Sequence, residues 1–175
     1  LAFSDMRKFA KVTLIETAKL PHSPHLSHLG PEPLDEKFQL ANFNLQINKR
    51  PSAPIKTVLM DQTLIAGIGN IYSDEILWRA GIHPSSKPQV IPKTNLTLAF
   101  KAMKEVLKKG IDFGGDSMSD YKNIDGKSGE FQEHHQAYRR TGERCLKRGC
   151  SGVMQRLIVG TRSAHFCPMH QKLFK

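Results

Sequence analysis

Residues 61–84, DQTLIAGIGNIYSDEILWRAGIHP, predict two helices joined by the short turn AGIGN. The glycines of this turn let the backbone approach a ligand closely, and Asn70 stands where the second helix begins. Exposed backbone amides at a helix N-terminus favour an anion, and an asparagine side chain adds a further donor. A plain helix cap is the alternative role of Asn70, and the two roles are compatible.

Helical patterns surround this turn and predict one mainly α domain over residues 34–110. The segment LDEKFQLANF has acidic residues in its first turn, and APIKTVLMD has a proline near its start. The segment GNIYSDEILWRAG is expected to end at Gly81. The last segment, PKTNLTLAFKAMKEVLKKG, has apolar residues at helical spacing and is expected to end at its lysines and Gly110.

The segments on either side of this domain have different patterns. Residues 1–19 begin with alternating apolar and polar residues, which predict the end of a β-sheet domain. Residues 20–33 hold four prolines and are interpreted as a linker whose histidines are solvated rather than metal-bound. Residues 111–137 are rich in Gly, Ser, Asp and Asn and predict a long functional loop. Residues 138–175 return to short β-like runs.

The cysteines of the last segment have the spacing of a metal site. They follow the pattern Cys145-x4-Cys150-x16-Cys167-x2-His170. Two short ligand pairs separated by a longer arm, with thiolate and imidazole donors, match tetrahedral zinc in a ribbon or finger. The alternative is three reduced cysteines and an unrelated histidine. Four protein ligands leave no open position, so the predicted zinc is structural and stabilises a hairpin too small to fold alone.

The arm between the two ligand pairs, SGVMQRLIVGTRSAHF, predicts a β-hairpin with VGTR at its turn. Arg162 lies at this turn. An arginine at the tip of a rigid hairpin can clamp a phosphate bidentately. A solvated surface arginine is the alternative.

The charge of the chain favours a polyanionic partner. Lys and Arg number 26 against 16 Asp and Glu, which gives a formal net charge of +10. Each phosphate that such a surface neutralises releases condensed counterions. The alternative is a protein that merely carries many lysines. No apolar run is long enough to cross a bilayer, no charged-then-apolar leader is present, and no long basic amphipathic helix predicts a membrane surface. We expect a monomer in the cytoplasm, associated with the nucleoid.

Taken together, these segments resemble the formamidopyrimidine-DNA glycosylase family, the MutM and endonuclease VIII group. Five segments carry the resemblance and follow one another in the family's order: SHLGPEPL, PIKTVLMDQ, DQTLIAGIGNIYSDEILWRAGIHP, GGDSMSDYKNIDGKSGEFQ and GTRSAHFCPMHQ. It implies a mainly α fold with a small β zinc finger. In that fold a helix–two-turn–helix DNA-binding domain is followed by a zinc-ribbon hairpin and preceded by a remnant strand of an N-terminal β-sandwich. It also implies DNA repair by a bifunctional glycosylase and AP lyase that excises oxidised purines such as 8-oxoguanine and formamidopyrimidines.

The resemblance also assigns DNA-binding roles to individual residues. Arg7 and Phe9 match the residues that pair with the base left behind by flipping and fill the vacated stack. The finger residue Arg162 matches a phosphate contact next to the lesion that assists δ-elimination. The other positions matched to DNA backbone or basic contacts are Arg50, Lys56, Asn70 and Tyr72. The loop that embraces the flipped purine is matched by residues 114–121, including Ser117, Met118, Ser119, Asp120 and Tyr121.

Several features depart from the family pattern. The family's usual zinc ligands are two C-x2-C pairs, whereas here the first pair is C-x4-C and the last ligand is His170. Ala10 stands for the usual glycine and Met6 for the usual proline. The family nucleophile, an N-terminal proline amine, and its catalytic lysine have no match in residues 1–175.

This chain is therefore expected to bind duplex DNA that contains an oxidised base or an abasic site, without excising bases alone. The proline amine of the whole enzyme would attack C1′ and expel the base, and the resulting Schiff base would allow β- and δ-elimination. A non-catalytic DNA-binding module is the alternative. A zinc ribbon that binds RNA or a ribosome fits the charge but not GIGNIYSDE.

Overall fold

Four α-helices and one β-hairpin make up the regular structure of residues 11–117 and 126–175, which are the residues that the computed structural model describes. In chain order they are α1 (Leu40–Ile47), α2 (Ile55–Leu59), α3 (Asn70–Ala80), α4 (Lys93–Asp112), β1 (Gln155–Val159) and β2 (Arg162–Phe166), with 3₁₀ turns at Thr17–His22, Pro88–Val90 and Phe131–His134. The mainly α fold with a small β finger is thus confirmed.

Helices α2 and α3 form where the sequence predicts them. Pro54 precedes α2, so its missing N–H costs no hydrogen bond. The helix α3 begins at Asn70 and ends at Gly81, which has φ +67° in the left-handed region that favours glycine. The glycine turn therefore delivers Asn70 to the first position of a helix, as expected.

The predicted start of α1 is wrong by six residues. The helix begins at Leu40 rather than Leu34, because Gln39 caps it. The side chain of Gln39 accepts from the backbone of Asn42, and the Asn42 side chain accepts from the Gln39 N–H at 2.9 Å. The acidic residue Asp35 instead caps a turn, where its carboxylate accepts the Lys37 N–H at 2.8 Å.

The predicted end of α4 is also wrong, since the helix runs through Gly110 to Asp112. Gly110 is not a helix stop but a point of close approach. A Cβ placed there would overlap the hydroxyl oxygen of Tyr72 on α3 and lie 2.8 Å from the ring carbon that bears it. The missing side chain lets α3 and α4 pack with the tyrosine between them.

Apolar side chains form two separate cores. The larger core joins α1 to α4 and includes Phe43, Ile65, Ile76 and Met103, each completely buried. The smaller core belongs to the predicted zinc finger of residues 138–175, called the finger below, and is made by Trp78, Ala137, Met154 and the cysteines. Trp78 belongs to α3, so this helix contributes to both cores.

The β-structure predicted at the start of residues 1–19 is not found in the described part of this segment. Residues 11–16 have no regular structure, and Leu14 is fully exposed. A strand needs a hydrogen-bonded neighbour, and no strand pairs with these residues in the described chain. The end of the predicted linker is packed: Gly30 N–H donates to the Gln62 carbonyl at 2.7 Å, and Ala66 N–H donates to that of Pro31 at 3.1 Å. SHLGPEPL therefore docks on the turn before α3.

The hairpin is confirmed with the expected turn. β1 and β2 pair antiparallel with Val159 opposite Arg162, which leaves a two-residue turn of Gly160 and Thr161. Gly160 has φ +61°, as such tight turns require. Within the described residues, no helix has the length and apolar character needed to cross a membrane.

Candidate nucleic-acid interface and metal centre

An open cavity of about 460 Å³ lies between the start of α3, the turn at residues 138–141 and the finger hairpin. Asn70 and Arg162 both line it, so the structure brings together the two constellations that the sequence analysis identified separately. Arg139 and Arg156 also line it, and no acidic side chain does so among the described residues. A cavity lined in this way suits an anion.

The hairpin tip holds Arg162 at the cavity mouth. The turn rests on α2, since a Cβ on Gly160 would lie 3.1 Å from the Thr57 methyl group. Arg156 on β1 donates from Nε and one Nη to the Ser163 hydroxyl on β2, at 3.0 and 2.7 Å. Arg162 itself is exposed and pairs with no acidic group in the part of the chain that the structure describes.

Lys56 does not face the cavity, which corrects the expected phosphate contact. Its side chain is completely buried, and its ammonium lies 2.5 Å from the Asp74 carboxylate. It also donates to the Ser73 hydroxyl at 3.0 Å and the Asn70 carbonyl at 3.2 Å. Burial lowers the pKa of Lys56, although Asp74 opposes this shift. In this structure the buried Lys56 ammonium therefore binds the first turn of α3 from the protein interior.

Asp74 links α3 to the finger. While one oxygen pairs with Lys56, the other accepts the His165 N–H and lies 2.9 Å from His165 Nδ1. His165 is three residues beyond Arg162 on β2. Asp74 was not among the predicted site residues, although a carboxylate on a helix that packs on two sides is a signal of a buried polar role.

Glu75 makes a second link, to the segment that leads into the finger. Its buried carboxylate accepts the backbone N–H groups of Gln136, Ala137 and Tyr138 at 2.9 to 3.0 Å. Three donors satisfy a buried charge well. Glu75 was also missed, and it fixes the turn that forms one wall of the cavity.

Tyr72 and Arg50 lie outside this cavity. The Tyr72 ring packs between Gly110 and Phe131, with its centroid 5.2 Å from that of Phe131. Arg50, half-exposed, pairs with Asp61 at 2.7 Å. The Thr63 hydroxyl and N–H also bind this carboxylate, and together with Arg50 they outweigh its burial and lower the pKa of Asp61. The phosphate roles of Tyr72 and Arg50 stay predictions.

The cysteines and His170 come together as the spacing predicts. Their ligand atoms all lie within 4.8 Å of one another, and all three cysteines are free of disulfides. Cys145 Sγ is 3.3 Å from His170 Nδ1, and the sulfurs of Cys150 and Cys167 are 3.7 Å apart. Tetrahedral bonds of about 2.3 Å to sulfur and about 2.0 Å to nitrogen separate ligand atoms by about 3.5–3.8 Å. The four residues thus form a group that can hold a metal ion.

The surroundings prepare these residues as ligands. His170 Nε2 lies 2.9 Å from the Trp78 carbonyl, which as an acceptor orients the ring and leaves Nδ1 for a metal. Burial lowers the pKa of His170, which keeps the imidazole neutral. The Gly152 N–H lowers the pKa of Cys150, whereas burial raises that of Cys167.

The base of the long loop is closed by hydrogen bonds. Ser117 N–H donates to Gln132 at 3.0 Å, and the Ser117 hydroxyl accepts the Gly129 N–H at 2.7 Å. His135 pairs with Asp116 beside them. The predicted lesion residues Met118, Ser119, Asp120 and Tyr121, and the predicted Arg7 and Phe9, lie outside the described residues.

Comparison with known proteins gives one consistent result. The domain described as "Formamidopyrimidine-DNA glycosylase H2TH domain" matches residues 29–122. A formamidopyrimidine-DNA glycosylase of Desulfitobacterium hafniense is 41% identical over 169 residues, which cover 97% of this chain and 61% of that protein. One of Solibacter usitatus is 42% identical over 98% of this chain and 62% of its own length.

Solved structures agree. The Lactococcus lactis Fpg in complex with DNA containing an abasic site has a TM-score of 0.85 at 38% identity, over 97% of this chain and 61% of that one. The MutM (Fpg) protein of Thermus thermophilus has a TM-score of 0.78 at 36% identity, over 88% of this chain and 57% of that one. The chain therefore spans about three fifths of the length of the proteins it matches.

Proposed function

Because the chain belongs to the formamidopyrimidine-DNA glycosylase family, we propose that it supplies the duplex-DNA grip of a bifunctional DNA glycosylase and AP lyase. The observation that carries the proposal is the single cavity shared by Asn70 and Arg162. Their elements are separate in sequence, yet α3 and the hairpin present them to one space. The proposed ligand is duplex DNA with an oxidised purine or an abasic site, bound by one copy of the chain at the nucleoid.

The geometry of this cavity supports phosphate binding. Asn70 begins α3, so a phosphate there meets the helix N-terminus together with the amide side chain. Arg162 reaches the same space from the hairpin tip and can clamp a phosphate bidentately. In the lyase reaction of the whole enzyme, this guanidinium would stabilise the negative charge on the phosphate that departs in δ-elimination.

Zinc is the metal that we propose for the site formed by Cys145, Cys150, Cys167 and His170. Three thiolates and one imidazole at tetrahedral spacing suit it, and four protein ligands leave no position for substrate. When bound, the ion supplies structural cross-linking. The residues of the chain do the rest: His170 anchors the site to α3 through the Trp78 carbonyl, and the hairpin holds Arg162.

We extend the proposal to the loop of residues 111–137. Its closed base at Ser117 and Gly129 lies beside α4 and Phe131, which contacts Tyr72. This placement of the described ends of the loop near Tyr72 supports a role of the loop in contacting the flipped base. Arg7, Phe9 and the residues from Met118 to Tyr121 keep the roles that the family resemblance gives them, as proposals.

The test of the proposed function is salt-dependent DNA binding. Fluorescence anisotropy with a duplex containing one tetrahydrofuran abasic analogue should show an affinity that falls steeply as KCl is raised. Arg162→Ala should weaken binding and reduce the slope of log K against log salt by about one. Lys101→Gln, on the exposed face of α4, is the matched loss of one charge and should have little effect. Affinity that is independent of salt, or unaffected by Arg162→Ala, contradicts the proposal.

A further inference from the structure

Arg139 combines two unusual properties. It lines the cavity that Asn70 and Arg162 share, and it has φ +60°, the one positive φ of a non-glycine residue in the described ranges 11–117 and 126–175. The left-handed region brings Cβ close to the following carbonyl oxygen, so it favours glycine and, less strongly, asparagine. An arginine there is held in place against its own backbone preference.

The surroundings explain how this conformation is maintained. Glu75 binds the N–H groups of the residues just before Arg139, and the Arg140 N–H donates to the Ala137 carbonyl at 3.2 Å. The turn is therefore fixed from α3 on one side and by its own hydrogen bond on the other. A residue in a strained conformation that its surroundings maintain is a candidate for function.

The side chain of Arg139 has no competing task. It is exposed, and no hydrogen bond or ion pair of its guanidinium is found with any residue that the structure describes. Arg156, by contrast, uses Nε and one Nη to bind Ser163, and Arg140 pairs with Glu143 at 2.7 Å. Arg139 and Arg162 thus stand as two available guanidinium groups at one cavity without a carboxylate on its wall. Like charges placed together in this way are compensated when a polyanion binds.

We propose that Arg139 is a second phosphate ligand of this cavity and binds a phosphate next to the one held by Asn70 and Arg162 on the same DNA strand. The inference rests on the proposed function and extends its contact surface to the turn at residues 138–141. Two guanidinium groups from separate elements would fix the direction of the strand as well as its position, because each binds a different phosphate.

The test exploits the backbone conformation of Arg139. Arg139→Gly removes the guanidinium and also removes the strain, so the melting temperature should stay the same or rise. The affinity for the tetrahydrofuran duplex should nevertheless fall about tenfold at low salt, with the salt slope reduced by about one. Arg139→Asn tolerates the same φ without the charge and should behave alike. Lys101→Gln should change the affinity by less than about twofold, since its charge is solvated and lies outside the cavity.

The outcomes separate this inference from the function on which it rests. If Arg162→Ala weakens binding while both Arg139 variants bind like the unaltered chain with the same slope, the second phosphate ligand is refuted and the proposed function stands. If Arg162→Ala and both Arg139 variants all bind like the unaltered chain, the cavity is not a DNA site and both proposals are refuted.

Discussion

Asp74 is the residue on which the geometry of the candidate site depends. Its two oxygens serve different parts of the molecule: one pairs with Lys56 beneath α3, and the other accepts from His165 on the finger. All three side chains are buried. A buried charge is tolerated when it is paired and hydrogen-bonded, and it becomes costly when one partner is removed.

Lys56→Met should therefore destabilise the protein by about 3 kcal/mol, because the Asp74 carboxylate stays buried without its cation. Urea unfolding followed by circular dichroism measures the change. Lys49→Met alters an exposed lysine in the turn after α1 and should leave the free energy of unfolding nearly unchanged. Adding Asp74→Asn to Lys56→Met should restore part of the loss, since the neutral amide needs no cation. A Lys56→Met protein as stable as the unaltered chain would show that the buried pair contributes nothing.

At the scale of elements, the pairing of α3 with α4 depends on the absence of a side chain. Gly110 stands in the interior of α4, where alanine would ordinarily favour the helix by about 1 kcal/mol. The Tyr72 hydroxyl occupies the space that a Cβ would need. Close packing therefore opposes helix propensity at this position, and the structure indicates that packing prevails.

Gly110→Ala should lower the free energy of unfolding by about 1–3 kcal/mol, because the new methyl group forces Tyr72 from its place. Lys109→Ala, at the neighbouring exposed position, should be near neutral. Tyr72→Phe should partly relieve the Gly110→Ala defect by removing the nearest atom, although the ring carbon at 2.8 Å remains. Thermal unfolding of these proteins makes the comparison, and a stabilising Gly110→Ala would mean that the two helices can separate without cost.

The finger is the element that should depend on metal. Its core consists of few residues, and several of them are the ligands themselves. Chelation of the metal should unfold residues 138–175 while α1 to α4 stay folded on their own larger core. Nuclear magnetic resonance spectra before and after chelation would show which amides lose their dispersion.

Elemental analysis provides the companion measurement. The unaltered chain should hold one zinc, and His170→Ala should hold less. His134→Ala, at an exposed histidine, should retain the full content. A finger that stays ordered after the metal is removed would contradict a structural role for the ion.

Local patterns predict the elements well and their connections poorly. The start and end of α3, the hairpin turn and the metal ligands follow from short spacings and turn chemistry. Asp74 binds a residue 91 positions away in the sequence, and Glu75 binds residues 61 to 63 positions away. No local pattern reveals such distant partners. For the same reason Lys56 was expected at the surface, since its sequence neighbours do not show that Asp74 covers it.

At the scale of the whole molecule, the proposed phosphate site differs from the rest of this basic chain, because no lysine is found among the described residues that line it. Among the described residues that line the Asn70–Arg162 cavity, the permanently charged cations are arginines. Arginine stays protonated and is a poor nucleophile, so this surface suits binding rather than covalent attack. Lys56 is the buried exception nearby, and its amine has no exposed surface.

The polypeptide of residues 1–175 alone should therefore bind DNA without forming a covalent adduct. Incubation with an oxidised-guanine duplex in the presence of borohydride, followed by a denaturing gel, tests for a trapped Schiff base. A full-length family member with its N-terminal proline serves as the positive control, and a duplex with undamaged bases as the negative one. Efficient trapping by residues 1–175 would place a nucleophilic amine within them.

Asn70, Asp74 and Trp78 recur at every fourth position of α3 and lie along one stripe of that helix. The first lines the cavity, the second holds β2 and the third orients a metal ligand. Both sides of the proposed DNA site are therefore preorganised by one helix, and the conformational entropy of arranging them is lost during folding rather than during association. For the proposed DNA-binding role, this preorganisation would let the chain bind and release successive stretches of duplex without reordering itself each time.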